Sequence, residues 1–326
     1  MIEAKVLRLL GPRALAWETI VLDPARLGPS EVLARTVVSA ISPGTEVAAW
    51  VGAPPLRPGP TYPRLQGYCN VARVEAVGAS VTACRPGDLV LTHQSHRSAF
   101  VCRDAEILVA TRVDRPAALS VTYLFHLGYA ALSKAGFRPG HDVAVVGLGA
   151  IGLGAAALAS AFGGRVVAYS DQDGARALAL RLGAREARAK DDRVAKSADI
   201  VVTTANGWGD WMLALDLAAR GGTVAVLGFP GRGLPPPQEN PLASHLFYDK
   251  QLSLVACGMV PETPAPAHEI RFTLGRNMEF LADRILAGAI DAQALVSDVL
   301  PAERIGDAYE RLAAREAGAV TFALSW

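Results

Sequence analysis

Residues 143–162 (VAVVGLGAIGLGAAALASAF) carry no charge, and by length alone such a run is long enough to cross a bilayer. Four glycines, Gly147, Gly149, Gly152 and Gly154, fall in its first half, and each costs a helix roughly 1 kcal/mol. The pattern therefore divides. The β-branched Val143, Val145 and Val146 predict a short buried strand, Gly-x-Gly-x-x-Gly a tight turn, and the alanine-rich remainder a helix. From residue 1 to about 115, short apolar runs (EVLARTVVSAI, NVARVEAV, GDLVLT) are separated by Pro/Gly clusters such as GAPPLRPGPTYP. They predict a β-rich region with long loops. From about 116 to 257 strands and helices alternate, which predicts a doubly wound parallel sheet. Beyond the proline-rich PETPAPAH, the segment NMEFLADRILAGAI has apolar residues at helical spacing, and LVSDVL and AVTFALSW read as closing strands. No internal repeat interrupts this order.

Composition adds limits. A chain of 326 residues can hold two domains that each bury a core. A formal net charge of +1 and 51% hydrophobic residues argue against a nucleic-acid partner and against disorder. Of the 32 basic residues 27 are arginine, which reads as coding bias more than as a binding surface. Cys69, Cys84, Cys102 and Cys257 are far apart and form no Cys-x-x-Cys, so neither a disulfide framework nor a zinc knuckle is indicated. The beginning of the chain, MIEAKVLRLLGPRALAWE, carries acids and no long apolar core, unlike a signal peptide. The expectation is a soluble cytoplasmic protein without a membrane span.

The glycine fingerprint gains weight from its surroundings. VAVVGLGAIG supplies a strand, the turn and a helix start, so that backbone N–H groups around Gly147, Gly149, Ala150, Ile151 and Gly152 can face a pyrophosphate. RVVAYSD gives a second strand ending about 20 residues beyond the fingerprint, where the ribose-binding residue of such folds sits. ADIVVTTANG and GGTVAVLGF then end in small or hydroxylated residues, which places Thr204 and Gly228 beside a bound dinucleotide. Register puts Ser170 at the usual acidic position and Asp171 next to it. The serine removes a carboxylate that would repel a 2′-phosphate, but Asp171 and Asp173 restore negative charge, and the first basic residue to follow is Arg176. NAD is therefore expected slightly ahead of NADP.

From end to end the chain resembles the medium-chain dehydrogenase/reductase superfamily. The similarity rests on the β-rich first region, GDLVL near residue 90, the segment before GFRPGHDVAVVG, the nucleotide fingerprint and the C-terminal return. It implies a GroES-like catalytic domain (1–115 and 258–326) and a Rossmann domain (116–257). It also implies a catalytic zinc in the alcohol dehydrogenases of the superfamily, and here the chain departs. ISPGTE puts Pro43 at the first ligand position. QGYCNVARVEAVG puts Tyr68 at the histidine and Cys69 at the acid beside it, and counting back from Gly147 puts Tyr123 at the third. The lobe for a structural zinc is missing, because GDLVLTHQSHRSAFVC runs from one strand to the next. Proline has no donor and a neutral phenol is a poor ligand, so no metal is expected.

Without zinc, the resemblance makes Thr45, at the proton-relaying hydroxyl position, a contact to substrate oxygen. Tyr68 and Tyr123 either supply the acid or fill the vacated metal hole as packed rings. His96 is taken, with His93, as a proton shuttle from the loop bordering the cleft, against the alternative of a solvated loop. His126 is placed near the nicotinamide, and Glu46 either bonds backbone or orients a polar substrate. The retained Thr45 and the GTE motif resemble glycoside 3-dehydrogenases and hydroxyethyl-bacteriochlorophyllide dehydrogenases. The first expectation is thus a zinc-independent oxidoreductase interconverting a secondary alcohol and its ketone with NAD or NADP. The alternatives are an NADPH-dependent enoyl or quinone reductase and, ranked lower, a non-catalytic dinucleotide sensor. The apolar strand LSLVACGM, at the edge that pairs subunits in the superfamily, predicts a homodimer.

Overall fold

The computed structural model describes residues 1–53, 61–262, 266 and 268–326. Most of GAPPLRPGPTYP and part of PETPAPAH lie outside the described residues. The chain divides into two compact units. One comprises Met1–Tyr123, Glu262–Gly288 and Val296–Trp326, the other Leu124–Pro261 and Ala289–Leu295.

The first unit is β-rich. One sheet pairs Ile2–Gly11 with Ala14–Leu22 on one side and Arg64–Leu65 on the other. A larger sheet runs Val296–Pro301, Thr321–Ser325, Glu31–Ala40, Asn70–Val77, Leu89–Thr92 and Ile107–Thr111, with Ala99–Arg103 also pairing Glu31–Ala40. The helix Leu274–Leu286 buries Leu274, Asn277, Met278, Leu281, Ala282 and Ile285, the spacing of one apolar stripe. Leu7, Leu9, Ile41, Trp50, Tyr309, Phe322 and Leu324 form a core that receives the helix Pro43–Val51 through Ala49 and Trp50. Pro43 is the first residue of that helix, where its fixed φ and missing N–H are tolerated.

The second unit contains six parallel strands: Asp142–Val146, Arg165–Tyr169, Glu186–Arg188, Ala198–Thr203, Ala218–Val226 and Ser253–Ala256. Numbered within this sheet in chain order, they lie 3-2-1-4-5-6, the order of dinucleotide-binding sheets. Register aligns Tyr169, Val146, Thr203, Val226 and Ala256 in one row, so Ser170, Gly147 and Thr204 stand together just beyond the carboxyl edge. The charge-free run is indeed two elements, the strand Asp142–Val146 and the helix Ala150–Ala161. Nine of that helix's twelve residues are buried, which explains its all-round apolarity. No helix among the described residues is long and apolar enough to cross a membrane.

Candidate active site

In the second unit, the point where strand order reverses lies between Asp142–Val146 and Ala198–Thr203. Gly147 there has φ 91°, a conformation that glycine adopts freely, and its carbonyl accepts 2.9 Å from the Thr204 hydroxyl. A Cβ on Gly152 would lie 1.9 Å from the Gly147 oxygen, and one on Gly228 2.3 Å from the Ala205 oxygen. Backbone contact alone therefore demands glycine at both. Gly149 differs: a Cβ there would meet nothing within 4 Å. The protein supplies no reason for this glycine, whereas a pyrophosphate resting on the backbone would. It immediately precedes the helix Ala150–Ala161, whose first N–H groups, those of Ala150, Ile151 and Gly152, lack intrahelical acceptors. The cradle fits a dinucleotide.

Just beyond the strand Arg165–Tyr169, Ser170 is buried, its carbonyl accepting from the Arg176 guanidinium at 2.6 Å. Arg176 also pairs with Asp173. Lys190, absent from the sequence reading, bridges Asp171 at 2.8 Å and Asp210 at 2.6 Å. Its signal lies in the sheet: Tyr169 pairs with Arg188, so the segment after Arg188 runs beside the one after Tyr169. Lys190→Ala is expected to weaken NADH binding about threefold to tenfold by releasing Asp171. A larger loss for NADPH than for NADH in fluorescence titrations would instead assign Lys190 to a 2′-phosphate.

The first unit brings Thr45, Tyr68 and Tyr123 together. Ser42 caps the helix Pro43–Val51, but its side chain is taken by Tyr68, whose O–H donates to the Ser42 oxygen at 2.5 Å. The Thr45 side chain also lies near enough to the Tyr68 oxygen to favour its charged form. Burial, with the nearby Cys69 adding to it, raises the Tyr68 phenol well above its ordinary value. Burial likewise pushes Tyr123 up to about 12, helped by Cys69 and Glu262. Both remain neutral donors near pH 7. The rings stand edge to face, with centroids 5.5 Å apart at 81°. His93 joins them, 4.7 Å from Tyr123 and 6.3 Å from Tyr68. Ser42 is the member that sequence reasoning missed, although a serine preceding Pro-Gly-Thr-Glu is itself a helix-start signal.

His96 is elsewhere, only 1% exposed. Its Nδ1 is 2.8 Å from the Ser39 hydroxyl and its Nε2 2.8 Å from Glu46. The Trp326 indole donates to Ser39 at 2.9 Å, which frees the Ser39 hydrogen for Nδ1 and places the imidazole hydrogen on Nε2. Glu46, also 1% exposed, then accepts from His96, from the Tyr309 hydroxyl at 2.7 Å and from the Ser42 N–H at 2.7 Å. Gly67, at φ 86°, is what admits the ring, for a Cβ there would lie 2.6 Å from His96. Glu46 thus bonds backbone and anchors the helix that carries Thr45. His126 is buried in the second unit. Among the described residues, no group of three or more His, Cys, Asp or Glu side chains is disposed to hold a metal ion.

A family model described as zinc-binding dehydrogenase matches residues 150–270, a span that excludes Pro43, Tyr68 and Tyr123. Sorbitol dehydrogenase of Bacillus subtilis is 28% identical over 198 residues, 57% of this chain and 51% of that protein. The 2-desacetyl-2-hydroxyethyl bacteriochlorophyllide A dehydrogenase of Rhodobacter capsulatus is 37% identical over 89 residues, 27% of each chain. The chain thus spans about half or less of these relatives. Among solved structures, galactitol-1-phosphate dehydrogenase of Escherichia coli shares the fold with a TM-score of 0.81 at 17% identity, covering 99% of this chain and 100% of that one.

Proposed function

We propose that this chain, which belongs to the medium-chain dehydrogenase/reductase superfamily, interconverts a secondary alcohol and its ketone without zinc, using a nicotinamide dinucleotide. One observation carries the reading: the phenol of Tyr68, where the zinc enzymes have a histidine ligand, donates to the hydroxyl of Ser42 with the Thr45 side chain close by. Pro43, Tyr68 and Tyr123 do not fit a zinc ion, since one has no donor and the other two are phenols kept protonated by burial. They do fit a ketone or alcohol oxygen. Neutral O–H groups held in place can donate to an oxygen on which negative charge grows, and such donors act strongly where water is excluded. Tyr68 is one such donor in this reading, its hydrogen turning from Ser42 to the substrate oxygen, with Thr45 beside it as the second and Tyr123 walling the site.

A bound nicotinamide would supply or accept hydride. Gly147, Gly149, Ala150, Ile151 and Gly152 would hold its pyrophosphate, Thr204 and Gly228 border it, and Ser170 and Asp171 meet the ribose. Three carboxylates, Asp171, Asp173 and Asp210, against Arg176 and Lys190 favour NAD slightly over NADP.

Tyr68→Phe keeps the ring and removes the donor. It is expected to lower kcat/KM for ketone reduction about 100-fold to 1000-fold, with dinucleotide affinity unchanged. A loss below threefold would remove Tyr68 from the reaction. The reading extends to a homodimer, supported by the strand Ser253–Ala256, which among the described residues is last in its sheet and pairs only with Ala218–Val226. Its open edge would otherwise invite unspecific pairing. Light scattering at micromolar concentration should return twice the chain mass, and a monomer would count against it.

A further inference from the structure

Alcohol oxidation releases a proton, and the hydroxyl cluster offers no base to take it. Tyr68 and Tyr123 are phenols that burial holds protonated. Ser42, at the end of the hydrogen-bonded row, is 2% exposed, so that row leads inward and away from water. His93 stands beside both phenols and is exposed. Its Nδ1 is 2.9 Å from the backbone oxygen of Tyr68. A carbonyl oxygen only accepts, so Nδ1 carries the hydrogen, and the neutral ring keeps an in-plane lone pair on Nε2. No described side chain or backbone group bonds that nitrogen. His96, three residues on, is the opposite case, with both nitrogens engaged in the interior.

We propose that His93 Nε2 takes the substrate hydroxyl proton during alcohol oxidation and returns it during ketone reduction, with the Tyr68 carbonyl fixing the required tautomer. This rests on the alcohol/ketone reading above. In oxidation the substrate O–H bond breaks and an Nε2–H bond forms, giving an imidazolium. The carbinol hydrogen leaves with its bonding electron pair to the oxidised nicotinamide, and the carbonyl double bond forms. The imidazolium then gives its Nε2 proton to water. Reduction reverses each transfer. Tyr68 thereby serves twice, its hydroxyl toward the substrate oxygen and its carbonyl toward the base.

Two variants and one spectrum test this. His93→Asn retains an amide donor for the Tyr68 carbonyl and lacks Nε2, whereas His93→Ala lacks both. With a hydroxy-ketone or keto-sugar that the wild-type protein reduces, both variants should lose about 100-fold or more in kcat. KM should stay within about threefold, and added imidazole should restore part of the His93→Ala rate. A kcat within threefold of wild type, or an Ala variant indifferent to imidazole, would overturn the proposal. Nitrogen-15 NMR of histidine-labelled protein, which needs no substrate, should show neutral His93 protonated on Nδ1. Protonation on Nε2 would overturn it equally. A wild-type protein that reduces no ketone would refute the alcohol/ketone reading itself, and the tautomer would still decide whether His93 is held as a base.

Discussion

Glu46→Ala is expected to cost about 3–5 kcal/mol of stability, the range for breaking a buried charged cluster by removing one partner. Its carboxylate accepts from the Ser42 N–H, the His96 imidazole and the Tyr309 hydroxyl. All four residues are at most 2% exposed, so water does not replace the lost acceptor. Leaving a buried donor unmatched costs about 1–3 kcal/mol, and here three are left at once. Glu46→Gln should fall between wild type and alanine. Whichever way its amide turns, the NH2 group faces donors, toward Ser42 or toward His96 and Tyr309. Urea unfolding with an unchanged m-value is the measurement. A loss below about 1 kcal/mol for Glu46→Ala would mean that the cluster is not assembled in this way.

The second large effect concerns the fingerprint, and it separates two glycines that a motif treats alike. Gly152→Ala would place a Cβ 1.9 Å from a backbone oxygen. Neither partner is the end of a flexible side chain, so the turn must open. The expected result is a loss of dinucleotide affinity of about 100-fold or more, with destabilisation of about 1–3 kcal/mol, as for overpacking in a filled core. Gly149→Ala adds a methyl to open space at φ −77°, which alanine adopts without strain. Stability should stay within about 0.5 kcal/mol, as for a surface substitution, yet NADH binding should weaken at least tenfold. Thermal melts paired with NADH titrations read both quantities. Unchanged binding in Gly149→Ala would mean that no phosphate rests on that backbone.

The parallel-sheet unit was legible because its signals are local. Val143–Val146 running into glycines can be read in one window, where Gly147 is required by its own positive φ and Gly152 by its contact with the Gly147 oxygen. What escaped was set by distant pairing. Lys190 reaches Asp171 because Glu186–Arg188 lies parallel to Arg165–Tyr169, and nothing in the chain near Lys190 announces that. Tyr309 and Trp326 meet Glu46 and Ser39 across 263 and 287 residues of sequence. The two histidines of THQSHRS show the limit most plainly. They lie in the loop between Leu89–Thr92 and Ala99–Arg103, where no strand alternation assigns them a side, and here His93 is exposed and His96 buried. The motif could name the pair, but only burial shows which of the two keeps a nitrogen open to substrate and water.

The most direct measurement is turnover with NADH and with NADPH by protein of determined metal content. Hydroxy-ketones and keto-sugars form one substrate set, enones and quinones the other. Ketone reduction is expected from protein holding far less than one zinc per chain, at a rate that chelator does not change. Turnover of enones or quinones alone would contradict it, as would ketone reduction that chelation abolishes and zinc restores.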